Sequence, residues 1–267
     1  MTFSDYRVAV VTGATSGVGR GAIDLFLSRG LTVHAVARDE SRLAELAAKG
    51  AIPHALDVRD TDALTRELAG IEADIVLNSA GVSRAGNILD ASAEDLDDLV
   101  EVNLTAVMQI LRLLYPGMVE RDRGHVLNIS SIAGHYNFFG HTAYHATKAA
   151  VHQLSRQLRN DALGKRVRVT ELSPGRIETE IFSRNLGGTP ETDAEAWATY
   201  YEGFESLTVD DVVSAIEFAV DAPAHVNIGL IELMPTFQVP GGLTFDRRDA
   251  ALETAASSSA ASSSTAE

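Results

Sequence analysis

"VVTGATSGVGRG", residues 10–21, decides how this chain folds. A β-branched run, "RVAVV" (7–11), leads into it, and a helical pattern near 18–29 leads out. Between them Gly13, Gly17 and Gly19 give a G-x-x-x-G-x-G spacing, with Thr15, Ser16 and Val18 filling the loop. Glycines at a strand-to-helix junction let the backbone turn sharply and approach a pyrophosphate. The helix start beyond them offers unpaired N–H groups and a positive dipole end. A plain tight turn would satisfy the same spacing, but its position after the first strand favours a dinucleotide.

Working outward, the pattern of strand then helix repeats. "TVHAVA" (32–37), "DIVLN" (74–78), "HVLNIS" (125–130), "RVRVTEL" (166–172) and "NIGLIEL" (227–233) read as strands, with a weaker one at "PHAL" (53–56). Helical patterns fall near 40–49, 61–69, 94–120, 142–163 and 208–220. This alternation implies parallel pairing with right-handed crossovers. Strands that are apolar almost throughout imply helices on both faces. The expected fold is α/β: a doubly wound, Rossmann-type parallel sheet of seven strands in a single domain, residues 1–246. Residues 178–206 carry no strand pattern and suit a substrate lid. The Ala/Ser-rich tail, 247–267, has no large apolar side chains to offset its ordering entropy and is expected to be disordered.

Composition excludes several classes. The 267 residues are 45% hydrophobic and 22% charged, ordinary for a globular protein with a sizeable core. A net charge of −15 argues against a nucleic acid partner and against anionic lipid. No apolar run reaches the ~20 residues of a membrane span. With no cysteine there is no disulfide framework and no thiolate chemistry. The N-terminus has no basic n-region. These features together lead to the expectation of a cytoplasmic protein.

The end of the second strand bears on cofactor choice. An acid there would hold the ribose 2′-hydroxyl of NAD, and an arginine suits the 2′-phosphate of NADP. "VARDE" places Ala37 where the acid is expected and Arg38 after it. Asp39 beside it, and the lack of a basic residue at Thr15 or Ser16, pull the other way. NADP is the expected cofactor on the strength of a guanidinium–phosphate pair.

"YHATK" (144–148) spaces Tyr144 and Lys148 by four residues, one turn apart on one helix face. Such a pair can be plain surface. It can also be a tuned phenol, since a nearby ammonium favours the phenolate. Only three lysines stand against nineteen arginines here, which makes a lysine at this place notable. His135, His141 and His145 lie in the same region, but no carboxylate or cysteine completes a metal set at suitable spacing, and no metal is expected.

Taken in order, these motifs resemble the short-chain dehydrogenase/reductases over residues 6 to 240. "TGATSGVG" (12–19) is similar to the family's cofactor turn, and "LDV" (56–58) to its adenine contact, with Asp57 and Val58. "NSAG" (78–81) resembles its N-N-A-G, supplying Asn78, Ala80 and Gly81 to the cofactor, with Ser79 as a departure. Asn103 in "VNLTA" and Ser131, thirteen residues before Tyr144, match its active-site positions. "SPGRIET" (173–179) resembles the segment that cradles the nicotinamide, with Pro174, Gly175, Ile177 and Thr179. "PGMVERDRGHVLNIS" (116–130) and "APAHVNIGLIELMPT" (222–236) resemble a bacterial branch of NADP-dependent 3-hydroxy acid dehydrogenases and sulfoacetaldehyde reductases.

The resemblance implies that Tyr144 exchanges the proton and that Ser131 holds the same substrate oxygen. It implies that Lys148 lowers the phenol pKa and grips the nicotinamide ribose, with Asn103 anchoring a relay water. A homotetramer built through the helices near 94–120 and 142–163 is implied too. For a small anionic substrate, Arg184 in "IFSRN" and then Arg176 are the candidate partners. Alternatives are a reductase of an unrelated ketone or sugar carbonyl, and a nucleotide sensor without catalysis. The retained Tyr–Lys pair speaks against the sensor.

Overall fold

The computed structural model describes residues 2–84, 86–181, 189–203, 205–236 and 238–239. Seven strands form one parallel sheet: β1 (Val8–Thr12), β2 (Thr32–Ala37), β3 (Ile52–Ala55), β4 (Ile75–Asn78), β5 (Gly124–Ile129), β6 (Val167–Pro174) and β7 (Leu230–Leu233). Their order across the sheet is β3-β2-β1-β4-β5-β6-β7. The helices are α1 (Gly17–Ser28), α2 (Glu40–Ala48), α3 (Thr61–Leu68), α4 (Ala93–Val100), α5 (Ala106–Glu120), α6 (Thr142–Asp161), α7 (Pro190–Tyr200) and α8 (Val209–Val220).

Alternation along the strands divides the core in two. Ala9 and Val11 of β1 pack with Ile23 and Phe26 of α1 and Ile216 of α8. Val10 between them belongs to the opposite layer, with Leu64 of α3 and Ile110 and Leu114 of α5. Both faces of the sheet are therefore covered, as its apolar strands require. The strand order reverses between β1 and β4, and the carboxyl ends there open the crevice in which this class of sheet binds ligands.

Two local features depart from the sequence reading. The expected helix over 94–120 runs from Ala93 to Glu120 but is broken by a π turn at Glu101–Thr105. This helix is long and apolar enough to cross a membrane by length and composition. Half of its most apolar stretch is buried against the fold, as in a core helix. The seventh strand begins at Leu230 rather than 227 because side chains replace the ladder there. The Asn227 amide accepts from the Val169 N–H at 2.8 Å and donates to the Val169 carbonyl at 3.1 Å. Thr170 Oγ1 donates to the Ile228 carbonyl at 2.7 Å.

In the 178–206 segment, α7 is capped by Thr189, whose hydroxyl accepts from the Thr192 N–H. The segment is tied down by Tyr201, which is buried and donates to the carbonyls of Ile177 and Thr179, each at 3.0 Å. Trp197, half exposed, packs on Tyr201 with ring centroids 5.6 Å apart. Arg184 and the 247–267 tail lie outside the described residues.

Candidate active site

The glycine turn is built for close approach. Gly13 has φ +64°, and a Cβ there would lie 2.8 Å from both the Ala80 nitrogen and the Ser79 carbonyl. A Cβ on Gly19 would collide with the Gly13 carbonyl. Thr12 Oγ1 accepts from the Ser79 and Ala80 N–H groups at 3.2 and 3.1 Å, binding the end of β1 to the segment after β4. Gly17 faces Thr179, with its built Cβ position 3.4 Å from Thr179 Cγ2, so the first turn and the "SPGRIET" segment meet. Helix α1 starts at Gly17, directly after the turn, where the first N–H groups of a helix lack intrahelical partners. Ser16 as N-cap makes no side-chain capping bond.

At the end of β2, Arg38 is largely exposed, with its guanidinium 3.9 Å from Asp57 Oδ2. Asp57 is gripped by Arg59, at 2.7 Å through Nη2. Hydrogen bonding from Arg59 holds its carboxyl below the usual range, against the opposing effect of burial. Asp39, which by sequence opposes a phosphate, has another task. Its carboxylate accepts from the Arg42 N–H at 3.0 Å and caps α2. Arg42 was missed by sequence reading. It lines the same crevice with Arg38, Thr15 and Asp57, and its Nη1 donates to Glu180 at 2.9 Å. Its spacing of four from Arg38 was the available signal.

A second cavity, of ≈ 620 Å³, continues from this crevice through shared walls at Ser16, Arg38 and Gly81. Ser131, Tyr144 and Lys148 converge on it, with Pro174, Gly175, Ile177 and Thr179 opposite. Two elements deliver these side chains: the loop after β5 carries Ser131, and one face of α6 carries Tyr144 and Lys148. Ser131 Oγ accepts from the Ala133 N–H at 3.1 Å and faces the same cavity as Tyr144. Lys148 is buried; its Nζ donates to the Ile129 carbonyl at 3.0 Å and stands 5.6 Å from the centre of the Tyr144 ring. Burial lowers its pKa to about 8, opposed by the Glu171 charge.

Burial pushes the Tyr144 pKa up, and what opposes the rise is the Ser131 hydroxyl, not Lys148. The lysine's donor is directed at a backbone carbonyl and not at the phenolic oxygen.

Asn103 sits within the π turn of the long helix, and such turns often mark functional sites. Its Oδ1 accepts from the Val82 N–H at 2.9 Å, and its Nδ2 donates to the Val82 carbonyl at 2.9 Å and to Thr147 at 3.3 Å. It thereby fastens the segment after β4 to α6. Asn103 Oδ1 and Lys148 Nζ both lie beside Gly81, 3.4 and 3.8 Å from a Cβ built there. Asn78 is turned away from the crevice. It donates to Asn128 at 2.8 Å, which donates to Ser155 at 2.9 Å, a buried polar chain between β4, β5 and α6.

Val18 and Arg176 line the cavity with Ser131, Tyr144 and Lys148, and Val58 and Ala80 line the crevice with Arg38 and Arg42. Phe138, Phe139 and His141, at the cavity mouth, were not anticipated as site residues. The three histidines divide. His145 accepts from the Phe138 N–H at 3.2 Å and its Nδ1 donates to the His141 carbonyl at 2.6 Å, so both ring nitrogens are used on backbone. His141 Nδ1 donates to the Arg84 carbonyl at 3.3 Å. His135 lies against His152 and Glu171.

A seven-stranded parallel sheet with a glycine-rich dinucleotide turn and a Ser–Tyr–Lys trio at its carboxyl edge defines a nicotinamide-dependent oxidoreductase. The short chain dehydrogenase family model matches residues 7–187, and the chain belongs to that family. It is 36% identical over 250 residues to the NADP-dependent 3-hydroxy acid dehydrogenase YdfG of Salmonella typhi, covering 90% of this chain and 99% of the relative. It is 36% identical over 238 residues to a serine 3-dehydrogenase of Rhizobium radiobacter, covering 86% and 94%. Among solved structures, the closed form of a serine dehydrogenase complexed with NADP+ superposes with a TM-score of 0.84 at 35% identity. That match covers 90% of this chain and 99% of the other.

Proposed function

We propose that this protein is an NADP(H)-dependent dehydrogenase of small 3-hydroxy acids, or reductase of the corresponding aldehydes. The observation that carries the reading is the convergence of Ser131, Tyr144 and Lys148 on one cavity that continues into a crevice holding Arg38 and Arg42. At Gly13 and Gly19 the turn closes so tightly on its own backbone that no side chain is accommodated, and a glycine turn of this kind after the first strand fits a dinucleotide. When bound, the dinucleotide supplies or takes the hydride.

The remaining chemistry belongs to the chain. Tyr144 Oη gives a proton to the substrate oxygen in reduction and takes one in oxidation. Ser131 Oγ donates to the same oxygen, where charge develops. Lys148 supplies a buried ammonium with three donors, which a planar guanidinium does not match. Asn103 holds the Val82 backbone and, through Thr147, the second turn of α6, between Tyr144 and Lys148. Arg176 is the cationic partner for a carboxylate or sulfonate, since an unpaired anion is costly once water is excluded. Arg38 and Arg42 bind the 2′-phosphate.

The enzyme is a cytoplasmic homotetramer in this reading, assembled through the long helix and α6. Half-exposed Val100 and Met108 on the long helix support that surface. The test is an NADP(H) absorbance assay across serine, 3-hydroxypropionate, 3-hydroxyisobutyrate, sulfoacetaldehyde and neutral cyclic ketones. Turnover of the acids or sulfoacetaldehyde with NADP(H) supports the proposal. Turnover of neutral ketones alone would favour an unrelated carbonyl substrate.

A further inference from the structure

Glu171 is 1% exposed, in the middle of β6 and outside the lining of the cavity that Ser131, Tyr144 and Lys148 share. A buried carboxylate needs compensation, and here each oxygen receives a different imidazole. His152 Nδ1 of α6 lies 2.6 Å from Oε2, and His135 Nε2 of the loop after β5 lies 3.2 Å from Oε1. The two rings stand edge to face with centroids 4.3 Å apart. The three ligand atoms all fall within 4.8 Å of one another.

We propose that His135, His152 and Glu171 form a binding site for a borderline divalent cation of the zinc, cobalt or nickel type. Two neutral imidazoles and one carboxylate are a donor set for such ions, leaving a further position for water. Tetrahedral ligands at ~2.0–2.2 Å stand roughly 3.3–3.6 Å apart, so a shift of about 1 Å in the His135 loop completes the set. The imidazole protons now donated to Glu171 move to the other ring nitrogen or to solvent as the cation takes their place. Side-chain exposures of 15% for His135 and 22% for His152 give the ion an entry path.

The other histidine cluster shows what is special here. In His34–His54–Glu67, His54 is the central link, with Nε2 on His34 at 2.9 Å and Nδ1 on Glu67 at 3.2 Å. Its donors point along a chain and away from a common centre. Around Glu171 they point inward.

An ion at this site would join the Ser131 loop, α6 and β6, the three segments that carry catalytic residues and the start of the nicotinamide segment. Binding should therefore raise thermal stability as well as being measurable directly. The experiment uses the untagged full chain, stripped with chelator, dialysed against zinc and separately titrated with cobalt. The expected result is one saturable equivalent of zinc, a visible absorption band of low-coordinate cobalt, and a higher Tm. His135→Ala, His152→Ala and Glu171→Gln should each weaken binding about tenfold or more, with His54→Ala unchanged. Should a core variant fail to fold, His135→Ala and the wild-type cobalt titration still decide. No saturable binding by wild type, or binding unaltered in His135→Ala, overturns the proposal.

Discussion

Lys148 Nζ donates to the Ile129 carbonyl at 3.0 Å and stands over the face of the Tyr144 ring instead of beside its hydroxyl. The two residues are one turn apart on α6, yet their link is through the ring face and shared burial. The lysine therefore has an ionisation of its own to follow.

Burial brings the Lys148 pKa from 10.5 to about 8. The ammonium is present below that value and lost as pH rises through it. Turnover that depends on it should decline above pH about 8 in kcat/KM, with Lys148→Arg inactive throughout the range because its planar head cannot replace the ammonium. Stability carries the opposite sign. Between about 8 and 10.5 the unfolded chain holds the extra proton, so stability rises with pH across that window. Urea midpoints at pH 8 and 10 should diverge between wild type and Lys148→Met, with wild type gaining on the variant at the higher pH. A constant difference would contradict the assigned ionisation.

Gly19→Ala should abolish dinucleotide binding or folding outright, because its Cβ has no space beside the Gly13 carbonyl. Gly30→Ala makes the control. Gly30 also has positive φ, but nothing lies within 4 Å of a Cβ there, so its cost should be backbone strain of ~1 kcal/mol. Thermal melts and NADPH fluorescence on both variants separate space from strain.

Cofactor preference should fall in two steps. Arg38→Ala and Arg42→Ala each remove a charge-assisted contact worth ~1.5–3 kcal/mol, roughly ten- to a hundred-fold in NADP+ affinity. NAD+ affinity should change little. Equal losses for both cofactors would mean that the arginines act on the fold.

Much of this was legible in the sequence. β-branched runs and the glycine turn carried the sheet and its first crossover, because burial on both faces and close phosphate approach demand those residue types. The first strand residues of β7 were not legible, since Asn227 imitates a ladder with its side chain. The π turn at Glu101–Thr105 leaves no mark in an apolar period. Asp39 read as an opposing charge because its cap on α2 competes for the same carboxylate. His135, His152 and Glu171 come from the loop after β5, from α6 and from β6, and only the packing of those elements brings them together.

Arg176 should matter for charged substrates alone. In Arg176→Ala, kcat/KM for an anionic substrate should fall about tenfold or more, with a neutral analogue within about threefold of wild type. Equal losses for both would assign the Arg176 side chain to holding the "SPGRIET" segment and not to the substrate's charge.

Tyr144→Phe tests the central claim most directly, since it keeps the ring under Lys148 and deletes the proton. NADPH affinity should stay within a few-fold of wild type, and kcat should drop by about 10²–10⁴. A variant that keeps more than about a tenth of wild-type kcat would contradict Tyr144 as the acid–base group.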